Sequence, residues 1–126
     1  MIDAIDKVGV VGLGVMGFDI AFLYAMRGWQ TLVFDTSKAA MDALTGRSEQ
    51  TIERLKKRNR IADGAIENIR GRLILAEINY EMPEVSFNPP QLLTTMAGEG
   101  ETFYKSDQPN AWLLSQVKSP NAYARH

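Results

Sequence analysis

The chain has 126 residues, a length that accommodates one ordinary domain and little more. It is 45% hydrophobic and 23% charged, and its 14 basic side chains nearly balance 15 acidic ones. Wholesale disorder and a strong positive field for nucleic acid are therefore both excluded. With no cysteine, and with its single histidine (His126) as the last residue, the chain has no route to disulfides, thiolate nucleophiles or histidine- or thiolate-based metal sites.

The opening Met1–Asp6 carries Asp3 and Asp6 and no basic residue, unlike the start of a secretory signal. The charge-free stretch from Val8 to Phe18 is 11 residues long and holds four glycines. Spanning a bilayer takes roughly 20 apolar residues. The expectation is a soluble cytoplasmic protein with no membrane and no nucleic-acid partner.

Val8, Val10 and Val11 predict a short strand buried on both faces, stopped by Gly12. Ile20, Ala21, Leu23, Tyr24 and Ala25 predict a mostly buried helix from Met16 to Met26, with Gly28 as its stop. Thr31–Phe34 reads as a second buried strand ending at Asp35, which completes a strand–helix–strand unit. Thr36 or Ser37 caps a following helix over about Lys38–Arg58, with Met41, Leu44, Ile52 and Leu55 as its stripe and Gly46 as an interruption. After a break at Asn59–Ala62, a shorter helix over about Asp63–Arg72 places Ile66, Ile69 and Leu73 on one face. Leu73–Ala76 reads equally as a third strand or as the end of that helix.

The composition then changes. All five prolines lie after residue 80, and the basic excess of residues 47–72 (eight against four acidic) gives way to three basic against six acidic in 73–126. The division expected is 1–78 and 79–126, the second segment packed on the same domain. There, Asn110 is expected to cap a short helix through Val117, with Trp112, Leu113 and Leu114 on its apolar side. Trp112 and Tyr104 are expected to cover an exposed sheet edge.

The chemistry lies in Gly12-Leu13-Gly14-Val15-Met16-Gly17. Alone, this glycine spacing is a weak signal. Placed between an apolar strand and a helix, with Asp35 closing the next strand, it marks a dinucleotide site. Gly12 permits a tight turn, Gly14 lets a pyrophosphate approach the backbone, and Gly17 lets the helix pack on the sheet. Amides around Leu13, Val15 and Met16 are expected to face the phosphates at the positive end of the helix dipole. Asp35 accepts hydrogen bonds from ribose hydroxyls, whereas a 2′-phosphate meets a like charge at roughly 4 kcal/mol for charges about 4 Å apart at an effective dielectric of about 20. NAD is therefore expected over NADP. The competing reading is an ordinary glycine turn, with Asp35 capping a helix through Thr36-Ser37.

The text KVGVVGLGVMGFDIAFLYAMRGWQTLVFDTSKAAMDAL, followed by IERLKKRNRIADGAIENIRGRL, resembles the N-terminal NAD-binding domain of 3-hydroxyacyl-CoA dehydrogenases, including the 3-hydroxybutyryl-CoA enzymes. The glycine motif alone fits 3-hydroxyisobutyrate and 6-phosphogluconate dehydrogenases as well. The helical hairpin around Ile52–Lys57 and Ala65–Arg70 separates them. Beyond about residue 76 the chain is truncated or divergent relative to that family, and loss of the reading frame there is one origin of such a change.

What the resemblance implies is an α/β Rossmann-like parallel sheet with a helical hairpin insert, incomplete relative to the family. It also implies hydride transfer between NAD and a 3-hydroxyacyl-CoA, in fatty-acid or butyrate metabolism. The family's histidine–glutamate base lies beyond the matching region and is not found here, so its catalytic residues are unknown in this chain. Phe87-Asn88-Pro89 faintly echoes the family's catalytic-histidine stretch, with Val85 at the histidine position and Ser86 next to it. The missing half comes from a partner chain or a homo-oligomer. The alternative is a non-catalytic dinucleotide-binding or interaction module.

Lys56-Lys57-Arg58-Asn59-Arg60 carries four positive charges in five residues. The resemblance places such a hairpin near CoA, so Lys56 and Lys57 are candidate acyl-CoA contacts; a solvated turn is the bland alternative. Met16, Met26 and Met41 read as core packing. Asp19 is expected in the first turn of its helix, where a negative charge suits the dipole.

Overall fold

The computed structural model describes residues 7–77, Glu81 and 87–115. In chain order the elements are β1 (Lys7–Val11), α1 (Val15–Met26), β2 (Gln30–Phe34), α2 (Lys38–Asp42), α3 (Leu44–Lys57), α4 (Asp63–Arg72), β3 (Leu73–Leu75), α5 (Pro89–Met96), β4 (Thr102–Lys105) and β5 (Ala111–Ser115). The strands form one sheet in the order β3-β2-β1-β5-β4. β1 and β2 run parallel with Val10 opposite Val33, and β2 and β3 run parallel with Leu32 opposite Ile74. β5 lies antiparallel to β1 with Val10 opposite Ala111, and β4 lies antiparallel to β5. The architecture is Rossmann-like with a mixed sheet. Its parallel part is β3-β2-β1, and a hairpin occupies the other side of β1, because a connection as short as residues 106–110 joins only antiparallel neighbours.

Val8, Gly9 and Val10 are consecutive and all buried, so β1 is covered on both faces. Over Gly9 the cover is tight: a Cβ there would stand 3.2 Å from both Leu93 and Met96 of α5. α1 and α4 pack against one another and against β2 and β3. Ile20, Ala21, Ala25, Phe34, Ile66, Ile69, Leu92, Leu93 and Leu114 join the same buried cluster.

The predicted helix at Asn110–Val117 is instead β5, with 116 and 117 outside the described residues. A short apolar run carries no periodicity to distinguish helix from strand. Pairing on both sides decides for the strand, since Ala111–Leu113 face β1 while Trp112–Ser115 face β4. Asn110 does not cap a helix: at φ 60° it closes the turn. Tyr104 and Trp112 consequently belong to the strands that extend the sheet, and do not cover its edge.

The long helix after β2 breaks at Ala43, not at Gly46, which lies inside α3 with nothing within 4 Å of its missing Cβ. Turning the axis at Ala43 lets Met41 of α2 and Leu44, Ser48 and Ile52 of α3 all reach the core. Ser37 is the residue that caps α2, its Oγ accepting from the Ala40 N–H at 3.2 Å. Leu73–Leu75 resolves as a strand. Arg70 of α4 donates to both Glu49 oxygens (2.6 and 2.7 Å) and to Glu67, tying the two long helices of the hairpin together. That guanidinium holds the Glu49 carboxyl below the usual glutamate range. Lys7 pairs with Glu101 at 2.9 Å, joining the start of β1 to the approach of β4. The expected division at 78/79 lies outside the described residues, while residues 87–115 complete the sheet begun by 7–77.

Two methionine expectations are corrected. Met41 is buried, but Met16 is 61% and Met26 38% exposed. α1 is apolar on nearly every side apart from Asp19, and the sheet and α4 can cover only one side of it. Asp19 falls one residue past the first turn, because α1 begins at Val15 and has no acidic residue in its first turn.

Candidate functional site

The site is assembled at the carboxyl ends of β1 and β2. Gly12 leaves β1 at φ 101°, a left-handed conformation that any Cβ would strain, and its N–H donates to the Phe34 carbonyl at 2.7 Å. Gly17 sits where α1 crosses back over this turn. A Cβ on it would stand 1.9 Å from the Gly12 carbonyl oxygen, so no other residue fits without moving the helix. Gly14, the N-cap of α1, is different: a Cβ there would meet nothing within 4 Å. Around Gly14 the backbone is open to a ligand.

The first helical bond of α1 runs from the Phe18 N–H to the Gly14 carbonyl at 3.0 Å. Helix geometry therefore leaves the Val15, Met16 and Gly17 N–H groups without an intrahelical acceptor, at the positive end of the dipole. The Leu13 N–H is already engaged: it donates to Asp35 Oδ2 at 2.7 Å, so it is not among the amides open to a phosphate.

Asp35 follows β2 directly and is half-buried. Its Oδ1 accepts from the Ser37 N–H at 2.7 Å, and its own N–H donates to Met41 Sδ at 3.2 Å. The carboxylate thus joins the glycine loop to the start of α2. An ionised carboxylate offers about four acceptor positions, and these two amides take one on each oxygen. In the competing reading Asp35 caps the next helix; Ser37 is that cap, and Asp35 closes the turn before it.

One participant had no local sequence signal. Arg47, 34 residues from Leu13, reaches from α3 to the Leu13 carbonyl at 2.5 Å and the Gly14 carbonyl at 3.3 Å, with its guanidinium 4.4 Å from the centre of the Phe18 ring. On the other flank, the Val11 N–H donates to the Asn110 carbonyl at 2.9 Å, which brings the β4–β5 turn beside the glycine loop. A shallow depression of about 420 Å³, lined by Val15, Met16, Asp19, Ile20 and Leu23, runs along α1 from its loop end.

The remaining sequence candidates lie apart from the loop. Lys56, Lys57, Arg58 and Arg60 are exposed at the turn between α3 and α4. In the Phe87-Asn88-Pro89 stretch, Asn88 caps α5 by accepting from the Gln91 N–H at 3.1 Å, and Phe87 stacks on Phe34 at 5.6 Å. Helix entry and core packing account for those residues. Val85, Ser86 and His126 lie outside the described residues. Among the described residues there is no cluster of ligating side chains able to hold a metal, and no helix long and apolar enough to cross a membrane.

Residues 7–83 match the family model of the 3-hydroxyacyl-CoA dehydrogenase NAD-binding domain. The 3-hydroxybutyryl-CoA dehydrogenases of two Mycobacterium tuberculosis strains, CDC 1551 / Oshkosh and H37Rv, are each 28% identical over 123 residues, covering 94% of this chain and 43% of their own length. The chain thus spans less than half of these curated relatives. The crystal structure of (S)-3-hydroxybutyryl-CoA dehydrogenase PaaH1 from Ralstonia eutropha superimposes on 59% of this chain and 26% of its own, with a TM-score of 0.54 and 27% identity. The chain belongs to the 3-hydroxyacyl-CoA dehydrogenase family, of which it carries the NAD-binding domain.

Proposed function

We propose that this chain is the cofactor-holding half of an NAD-dependent 3-hydroxyacyl-CoA dehydrogenase. Gly12, Leu13, Gly14, Val15, Met16, Gly17 and Asp35 form its dinucleotide site. The observation that carries this reading is the loop itself: an open backbone at Gly14, a run of first-turn amides, and a carboxylate at the end of β2 bonded to the same loop. The Gly14, Val15 and Met16 N–H groups bind the diphosphate, Asp35 orients the adenosine ribose, and Gly12 and Gly17 set the turn and its distance from α1. NAD, when held there, supplies a two-electron acceptor for oxidation of a secondary alcohol. Asp35 also disfavours a 2′-phosphate, so NADH binds more tightly than NADPH. An NADPH affinity equal to that for NADH would contradict this role.

In the same reading the chain serves fatty-acid or butyrate metabolism in the cytoplasm. A partner chain or second copy supplies the base, and the exposed Lys56–Lys57 pair meets the phosphates of acyl-CoA. Reversing both charges should then weaken acyl-CoA binding at low salt, and unchanged affinity removes the pair from the site.

A second reading, a dinucleotide-binding module without turnover, is favoured by the absence of any histidine before residue 126, since imidazole is the base whose pKa suits this reaction at neutral pH. Two assays on the purified chain separate the readings: NADH binding by fluorescence, and NADH-linked reduction of acetoacetyl-CoA. Binding with turnover selects the enzyme, and binding without turnover selects the module. Absence of NADH binding contradicts both.

A further inference from the structure

We propose that Arg47 is a positioning residue of the dinucleotide site: it ties down the Leu13 and Gly14 carbonyls so that the Gly14 and Val15 N–H groups are held toward the diphosphate. The proposal rests on the NAD reading of the loop.

The argument is one of peptide geometry. In a planar trans peptide the C=O and the following N–H point in opposite directions. The Leu13 carbonyl accepts from Arg47 Nη1, so the Gly14 N–H of the same peptide is turned away from α3. The Gly14 carbonyl accepts from Arg47 Nη2 and from the Phe18 N–H, so the Val15 N–H is turned outward along the helix axis. Two consecutive amides are thereby set by one side chain. A glycine loop otherwise has the most backbone freedom of any segment and would have to lose it on binding.

The guanidinium is itself fixed. It lies 4.4 Å from the Phe18 ring centre, a cation–π distance, and Arg47 is half-buried. Its fork spans two carbonyls that an ammonium, with its single nitrogen, cannot match in the same geometry. A positive charge behind the loop also adds to the helix dipole's attraction for phosphate.

The test compares the full-length wild-type chain with Arg47→Met and Arg47→Lys. Affinities for NADH, ADP and adenosine are measured by amide NMR titration, together with ligand-free melting temperatures. Arg47→Met is expected to weaken NADH and ADP by the same factor, about tenfold, which corresponds to about 1.4 kcal/mol. Adenosine, which lacks phosphates, should change less than about twofold, and Arg47→Lys should fall between wild type and Arg47→Met. Equal losses for adenosine and ADP, or a lowered melting temperature with ADP affinity unchanged, would make Arg47 structural only and overturn the proposal. Should Arg47→Met not fold, Arg47→Lys carries the test, and wild-type ADP affinity in that variant overturns it. A wild-type chain that binds NADH away from Gly14 and Val15 refutes the clamp while leaving NAD binding intact, whereas a wild-type chain that binds no NADH refutes both.

Discussion

Gly14 and Gly17 stand three residues apart in one motif and answer to different physics. Gly17 is required by the fold, because a Cβ would stand 1.9 Å from the Gly12 carbonyl oxygen. Gly14 has open space around it. Gly17→Ala should therefore cost about 3 kcal/mol or more of stability, or abolish folding. Gly14→Ala should cost less than about 1 kcal/mol and act on NADH affinity instead. Thermal melts and NADH titrations of the two variants check this, and a stable, binding-competent Gly17→Ala would contradict the packing described. Most of this site was legible in the sequence, because the turn, the helix start and the carboxylate all lie within one strand–helix–strand unit and follow local rules. Two features were not. The engagement of the Leu13 N–H by Asp35 depends on side-chain reach across two strand ends. Arg47 depends on how α3 packs, which no spacing within the motif encodes.

At the scale of elements, α5 opens on a helix-entry signal that the reading of the sequence passed over. Asn88 followed by Pro89 and Pro90 is a helix entry, with the prolines at positions where no amide partner is needed. Asn88→Ala should remove about 1 kcal/mol of stability and lower the urea midpoint without changing the slope. In α3, Ser48 is buried with no hydrogen-bond partner for its hydroxyl among the described residues, so Ser48→Ala should be neutral or raise the midpoint. A loss above about 1 kcal/mol would reveal a partner for that hydroxyl. The α1, α4 and β2 elements could be read from their apolar runs and stops because each owes its form to its own segment. β5 could not: its apolar run becomes a strand only because β1 offers a free edge about a hundred residues earlier in the chain, a long-range pairing invisible to periodicity.

Across the described residues, the Arg70–Glu49 pair ties α3 to α4, as Lys7–Glu101 ties β1 to the approach of β4. The Arg70 guanidinium lowers the folded pKa of Glu49 below the unfolded value. That contribution is therefore present above the ordinary glutamate range, about 4.3, and lost as pH falls through the lower folded value. Both groups face solvent, so the effect is small and screened by salt. Urea midpoints measured from neutral pH downward should decline more steeply in acid for the wild type than for Glu49→Gln, and equal slopes would remove Glu49 from the account.

The sheet also organises function at this scale, because β2, β1 and the β4–β5 hairpin all present their ends to the same glycine loop. A crystal structure of the chain with NAD bound tests the central claim most directly. The diphosphate is expected within hydrogen-bonding distance of the Gly14 and Val15 amides, with the adenosine ribose on Asp35. A diphosphate lodged elsewhere on the molecule, with the first turn of α1 left bare, would contradict the account.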